Sequence, residues 1–241
     1  MSEDLPKPLS ARSALLSLLL GAPAEGLSAA QLVAVAAHLG IGEPTARVAL
    51  SRAVGAGELR REGTTYRLGE RLLTRRRHQE ERDSVRAWDG SWELVVVTAT
   101  GRTSKARAAT RTLLAAARLA ELREGVWTRP ANLARPAPTS EVERLEEFRA
   151  TPADDPVALA ARLWDLEGWS VATRATLALL EATAEPAHRL AVAARLVRLL
   201  AEDPLLPDEL LPPDWPAARA RERYAAYQGE LHALAAVASS A

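Results

Sequence analysis

The side chains best suited to chemistry lie between Glu43 and Leu68. Arg47 and Arg52 sit five residues apart with Thr45, Val48 and Ser51 among them, and Arg60, Arg61, Thr65 and Arg67 follow within fifteen residues. Guanidinium groups present a planar fork of donors, which suits paired acceptors on a guanine edge or a phosphate. Threonine and serine hydroxyls hydrogen-bond to either. This is chemistry of recognition rather than bond breaking. The remainder of the chain points the same way. It has no cysteine, so thiol catalysis, disulfides and thiolate metal sites are excluded. The four histidines (38, 78, 188, 232) never reach ligand spacing such as H-x-x-x-H. No glycine-rich phosphate loop is present and nothing marks a nucleophile. No catalytic residue, metal site or cofactor is therefore expected.

The elements that must position those side chains follow from apolar spacing. Ala46, Ala49, Leu50 and Ala53 recur at helical intervals and form a narrow face of small residues, leaving Thr45, Arg47, Val48, Ser51 and Arg52 on the opposite side. Pro44 suits the first turn, and Gly55 and Gly57 stop the helix. Glu58–Glu62 and Thr64–Leu68 read as two arms of a hairpin around Gly63. Upstream, Ser10–Leu20 reads as a leucine-rich helix closed by Gly21. Ser28 followed by Gln31 is a capping-box pattern opening a second helix, with Leu32, Val35, Ala36 and Leu39 on one face. Only Ile41–Glu43 separates the second helix from the third, a connection short enough for a helix-turn-helix. Helix, helix, short turn, helix and basic ribbon predict a winged helix-turn-helix over residues 1–70, with the third helix for the major groove and the ribbon for phosphates.

Charge agrees locally. The chain carries 31 basic and 31 acidic residues, for zero net charge. Between Glu43 and His78, nine arginines (47, 52, 60, 61, 67, 71, 75, 76, 77) face four acids (43, 58, 62, 70), an excess of five positive charges. Attraction to nucleic acid must come from this region rather than from the whole molecule. Arg75-Arg76-Arg77 opens a basic linker, 71–87, that could add phosphate contacts or simply be solvated. No apolar run approaches the roughly 20 residues of a membrane span, and the polar start MSEDLPKPLS has no signal-peptide core. The expectation is a cytoplasmic protein without membrane contact.

Residues 88–151 read as a second module. Glu93–Val97 is a β-branched strand, Arg107–Leu122 an alanine/leucine helix, and Gly125–Pro130 a second strand; Glu141–Thr151 supplies another strand or a short helix. Strand, helix, strand in this order predicts a small ferredoxin-like α+β domain. Residues 152–241 read as a helical domain, with helices over Val157–Leu166, Ser170–Ala184, Ala187–Glu202 and Ala217–Ala238. An extended segment held by prolines 204, 207, 212, 213 and 216 interrupts them as a strap with Trp215 anchored in the core. The fold class is α+β, mostly helical.

The runs RSALLSLL, LGIGEPTARVALSRAVGAGEL, YRL, WDGSWELVVV and GVWTRP, the triad Trp164-Asp165-Leu166 and the stretch DPLLPDELLPPDWP from Asp203 to Pro216 resemble the PaaX family of bacterial transcriptional repressors, in order and over nearly the whole chain. Glu58 departs from the large apolar residue that relatives often carry after the helix-ending glycine. The resemblance implies a winged helix, a middle domain like the Cas2 fold and a helical C-terminal domain. It further implies a homodimeric repressor of a catabolic operon of the phenylacetate or aromatic-acid type, bound to double-stranded operator DNA and released by an acyl-CoA such as phenylacetyl-CoA. Cas2-like nucleases place a metal-binding aspartate near the end of the first strand, where this chain reads LVVVTAT; Mg²⁺ would have no carboxylate there. For the effector, the cations Arg102, Lys105 and Arg107 at a turn and helix start suit phosphates, with Trp127, Trp164 and Trp169 as candidates to line an apolar slot between the middle and C-terminal modules. The alternative reading is a nucleic-acid-processing or architectural factor with a catalytically inactive Cas2-like domain and no small-molecule effector.

Overall fold

The computed structural model describes residues 5–21, 26–73, 84–99, 101–134 and 144–237. Two compact units share the chain. The first comprises the described residues of Met1–Arg76, Trp169–Asp203 and Pro216–Ala241, the second those of Arg77–Gly168 and Pro204–Trp215.

In the first unit, α1 (Ala11–Leu20) starts at Ser10, whose hydroxyl accepts from the Ser13 amide at 3.2 Å. Strand β1 (Leu27–Ser28) leads straight into α2 (Ala29–His38). The capping box forms as the sequence predicts. The Ser28 amide donates to Gln31 Oε1 at 2.7 Å, and the Gln31 amide donates to Ser28 Oγ at 3.2 Å. Gly40 takes a positive φ and turns the chain into α3 (Glu43–Gly55). Strands β2 (Leu59–Glu62) and β3 (Thr65–Leu68) pair antiparallel, Arg60 opposite Arg67 and Arg61 opposite Tyr66, around Gly63 at φ +62°. Gly69 closes the hairpin. Its amide donates to the Glu58 carbonyl at 2.6 Å, and a Cβ there would lie 2.2 Å from the Gly57 carbonyl oxygen, so only glycine fits. β1 adds a third strand beside β3, giving the order β1-β3-β2. Two residues are too short for a period to show, and the sequence pattern at this stretch reads as loop.

The same unit takes three helices from the C-terminal half: most of α6 (Leu166–Ala182), then α7 (Pro186–Glu202) and α8 (Ala217–Val237). Leu180, Leu196, Ala220 and Leu231 on these helices join Leu15, Leu32, Val35 and Leu50 in one continuous core. Helix α8 packs directly on α2. A Cβ on Gly21 would fall inside the Gln228 side chain of α8, which shows how closely the end of α1 meets that helix.

In the second unit, β4 (Trp92–Val97), β5 (Ala120–Arg123), β6 (Val126–Pro130) and β7 (Leu145–Ala150) form an antiparallel sheet in the order β5-β6-β4-β7. Second, third, first, fourth is the strand order of a ferredoxin-like sheet. Glu141–Thr151, left between strand and helix by its pattern, contributes β7; residues 141–143 lie outside the described chain. Helix α4 (Ser104–Ala116) covers one face, where Leu114 packs with Val95 and Trp127. On the other face Trp92 packs with Ala160 of α5 (Pro156–Leu163), Leu166, Leu206 and Leu210.

The helix expected over Arg107–Leu122 is corrected. It begins earlier, at Ser104 behind a Thr103 cap, and ends at Ala116. Arg118 then takes φ +59°, and Ala120–Arg123 form an edge strand against β6. The run is rich in good helix formers and carries no glycine or proline to read as a stop. Burial of Ala117 and Leu119 against the sheet, with strand pairing just beyond, overrides local propensity.

Two motifs gain structural meaning here. Asp165 of the Trp-Asp-Leu triad accepts from the Gly168 amide at 2.9 Å, a helix-capping contact, while Trp164 lies 6.4 Å from Trp92 between ring centres. The proline-rich segment does form a strap, with a short turn of 3₁₀ helix at Asp208–Leu210. Its Leu205, at φ +51°, presents a carbonyl to Arg129 Nη2 at 3.1 Å and to Asn132 Nδ2 at 2.9 Å. Both side chains are fully buried, so those carbonyl bonds satisfy groups that would otherwise be costly to enclose. Trp215 is partly buried and packs against the Trp92 cluster.

Candidate nucleic-acid interface

The face of α3 that packs inward is the one the spacing predicts: Ala46, Ala49, Leu50 and Ala53 are buried. Three alanines let α3 approach α1 and α2 closely, so the outer half of the helix stands clear of its neighbours. Thr45, Arg47, Val48, Ser51 and Arg52 are all exposed there. The hairpin carries Arg60 and Arg61, exposed, with Thr65 and Arg67 half-buried. All nine side chains predicted to meet DNA therefore belong to two consecutive elements of one unit. The described residues end at Leu73 in this region, so Arg75, Arg76 and Arg77 lie outside them.

Acids to which the sequence pattern assigns no role sit among these cations. Glu43 Oε1 holds Arg47 Nε at 2.7 Å, one helical turn apart. Both side chains are more than half exposed, at 60% for Arg47 and 55% for Glu43, so the pair is weak and easily exchanged for a nucleic-acid acceptor. The i,i+4 spacing of Glu43 and Arg47 is the readable signal. In the hairpin, Glu62 pairs with Arg60 at 3.3 Å and with Arg67 at 3.0 Å, and Glu70 reaches Arg60 at 3.7 Å. Arg61 donates to the Gly63 carbonyl at 2.7 Å and stacks over Tyr66 at 5.9 Å. These exposed ion pairs are weak as well, and leave the ribbon guanidiniums ready to exchange partners.

Glu58 finds a partner from a distant part of the sequence: Arg12 of α1, at 2.6 Å. The Arg12 guanidinium holds the Glu58 carboxyl below the usual carboxylate range. A polar residue is accommodated at this position by making an ion pair with α1. Nothing in the local pattern connects residues 46 positions apart. Beside this pair lies an open groove of about 580 Å³ between α1 and α3, lined by Arg12, Pro44, Val48, Ala49, Arg52 and Ala56 among others.

The expected effector residues divide. Arg102, Arg107 and Trp127 share a concavity of about 270 Å³ in the second unit, joined by Arg111, Glu121 and Glu124. Arg102 donates to the Ala106 carbonyl at 2.9 Å and to the Thr110 hydroxyl. Arg111 pairs with Glu121 at 3.1 Å. Lys105, on the first turn of α4, does not line this concavity. Trp164 belongs to the Trp92 cluster on the opposite face of the sheet. Trp169 belongs to the first unit, where its indole N–H donates to the Leu199 carbonyl at 2.8 Å. Within the second unit Trp127 and Trp164 therefore serve two different apolar clusters and do not line one slot together. Among the described residues, no helix is long and apolar enough to cross a membrane.

Comparison with known proteins covers most of the chain. Residues 10–72 match the family model of PaaX-like proteins, residues 85–149 that of the PaaX central Cas2-like domain, and residues 167–239 that of the PaaX-like C-terminal domain. Among solved structures, the uncharacterized protein Rv0674 from Mycobacterium tuberculosis is similar, with 42% identity, a TM-score of 0.86, and coverage of 95% of this chain and 99% of that one. No curated protein matches the chain in sequence.

Proposed function

The chain belongs to the PaaX-like family of regulators, and we propose that it is a sequence-specific, DNA-binding repressor of a catabolic operon, acting as a homodimer whose winged helices occupy two half-sites. One observation carries this reading. An exposed face of hydroxyls and arginines on α3 stands opposite a buried alanine/leucine face, and an arginine-bearing ribbon follows at once. The helix supplies direct readout and the ribbon supplies phosphate contacts. Support for pairing comes from the second unit. Leu94 and Val96 are half-buried, and Phe148, opposite Leu94, is 51% exposed, so the sheet face bearing them carries apolar surface suited to a second copy.

The test is selection of bound sites from a random duplex library by the full chain. The expected site has two half-sites about one helical turn, or a multiple of it, apart. Arg60→Ala, Arg61→Ala and Arg67→Ala should each weaken selected and random duplexes alike, and reduce the slope of log affinity against log salt by about 0.9 for each phosphate no longer neutralised. No enriched sequence, or ribbon variants that lose affinity only for the selected site, would overturn these assignments.

For release, we infer an acyl-CoA effector of the aromatic type, from the family resemblance together with the arginine-lined concavity beside α4. At about 270 Å³ that concavity suits a phosphate-bearing end of such a ligand and not the whole molecule. Calorimetry with phenylacetyl-CoA, other acyl-CoAs and free phenylacetate decides this. The expected result is binding of a CoA thioester that lowers operator affinity by roughly 5- to 150-fold. Binding that leaves operator affinity unchanged removes the effector. Binding that survives Arg102→Ala with Arg107→Ala moves the site.

A further inference from the structure

Val48 is the large apolar side chain on the exposed face of α3, 51% exposed, with Thr45, Ser51 and Arg52 three and four residues away on the same face. A solitary exposed valine would need no explanation. This one has a setting. It lines the open groove between α1 and α3, where its apolar neighbours are Ala11, Pro44, Ala49 and Ala56. The charged residues of that lining are Arg12 and Arg52, and no acid is among them. Arg12 is held by its ion pair to Glu58. An apolar floor bounded by two guanidiniums suits a partner that is polyanionic overall and carries apolar groups at its accessible edge.

In the major groove, a duplex has that combination at thymine. The 5-methyl group is the apolar feature among otherwise polar base edges, and it is flanked by phosphates. We propose that Val48 is a specificity-determining residue that reads a thymine methyl group, with the Arg12 guanidinium beside the strand that carries it and Arg52 on a neighbouring base edge. This rests on the reading of α3 as a DNA-recognition helix, and it names what one position of that helix selects. Valine is branched at Cβ and rigid in a helix, so its two methyl groups are already placed for the contact. Burial of one methyl group is worth about 0.8 kcal/mol, or roughly fourfold in affinity, and close packing raises that figure.

The test uses the full chain and its selected operator, with each thymine replaced in turn by deoxyuridine. That change removes only the methyl group and leaves base pairing intact. At one position per half-site, deoxyuridine is expected to weaken binding by about three- to tenfold. Val48→Ala should bind the thymine operator more weakly by a similar factor and lose its response to deoxyuridine at that position. Val48→Thr, which keeps one methyl group, should retain a response. Alanine favours helix, so the variant keeps its fold. If the chain binds its operator but no thymine responds, or if Val48→Ala responds as the unaltered chain does, the proposal is overturned while the DNA-binding reading stands. A chain that selects no duplex overturns both.

Discussion

Arg47→Ala combined with Arg52→Ala is expected to lower affinity for the selected operator by about 2–6 kcal/mol, roughly 30-fold to 10⁴-fold, and to leave affinity for random duplex nearly unchanged. Each arginine that meets a guanine with two hydrogen bonds contributes about 1–3 kcal/mol of discrimination. The two sit on the exposed face of α3, with the buried alanines fixing the helix behind them. Arg47 must exchange Glu43 for its base, and because that pair is solvent-exposed the exchange costs little. The measurement is a binding titration with selected and scrambled duplexes at one stated salt concentration. Equal loss on both duplexes would show that these arginines contact phosphates. No loss on either would show that α3 is not the reading helix.

Leu231→Ala, far from α3 in sequence, is expected to destabilise the first unit by about 2–5 kcal/mol. Leu231 is buried on α8 in the core that also holds Leu32 and Val35 of α2. Removing its side chain leaves a cavity that close-packed neighbours cannot fill. The expected readout is a lower denaturant midpoint together with faster hydrogen exchange at the amides of α2, since α8 packs on α2. A chain shortened to residues 1–80 would leave the same apolar face of α2 in water and should not fold cooperatively. Faster exchange confined to α6, α7 and α8 would show that the N-terminal helices stand without them.

Much of this protein is determined by short-range physics. Ala46, Ala49, Leu50 and Ala53 dictate which side of α3 is buried, because a 3.6-residue period leaves the intervening residues no alternative face. Ser28 and Gln31 close the start of α2 within a single turn. Gly63 sets the hairpin, and three successive valines sit in a strand of the second sheet. All nine candidate DNA-facing residues are legible for that reason, since they depend on one helix and one ribbon.

Tertiary structure decided what depends on partners distant in sequence. The alanine/leucine run after Ser104 has the propensity to continue as helix, yet it turns at Arg118 because β6 offers Ala120–Arg123 a ladder of hydrogen bonds. Arg12 and Glu58 carry no local mark of their pairing. Trp127 and Trp164 are alike in residue type, but they are drawn to different apolar clusters of the second unit, so these two do not line one slot. Helices α7 and α8 lie in the C-terminal half of the chain and complete the core of the first unit. An apolar stripe states that a helix must be covered. Which surface covers it is set by the shape and volume of groups that meet only after the chain has folded.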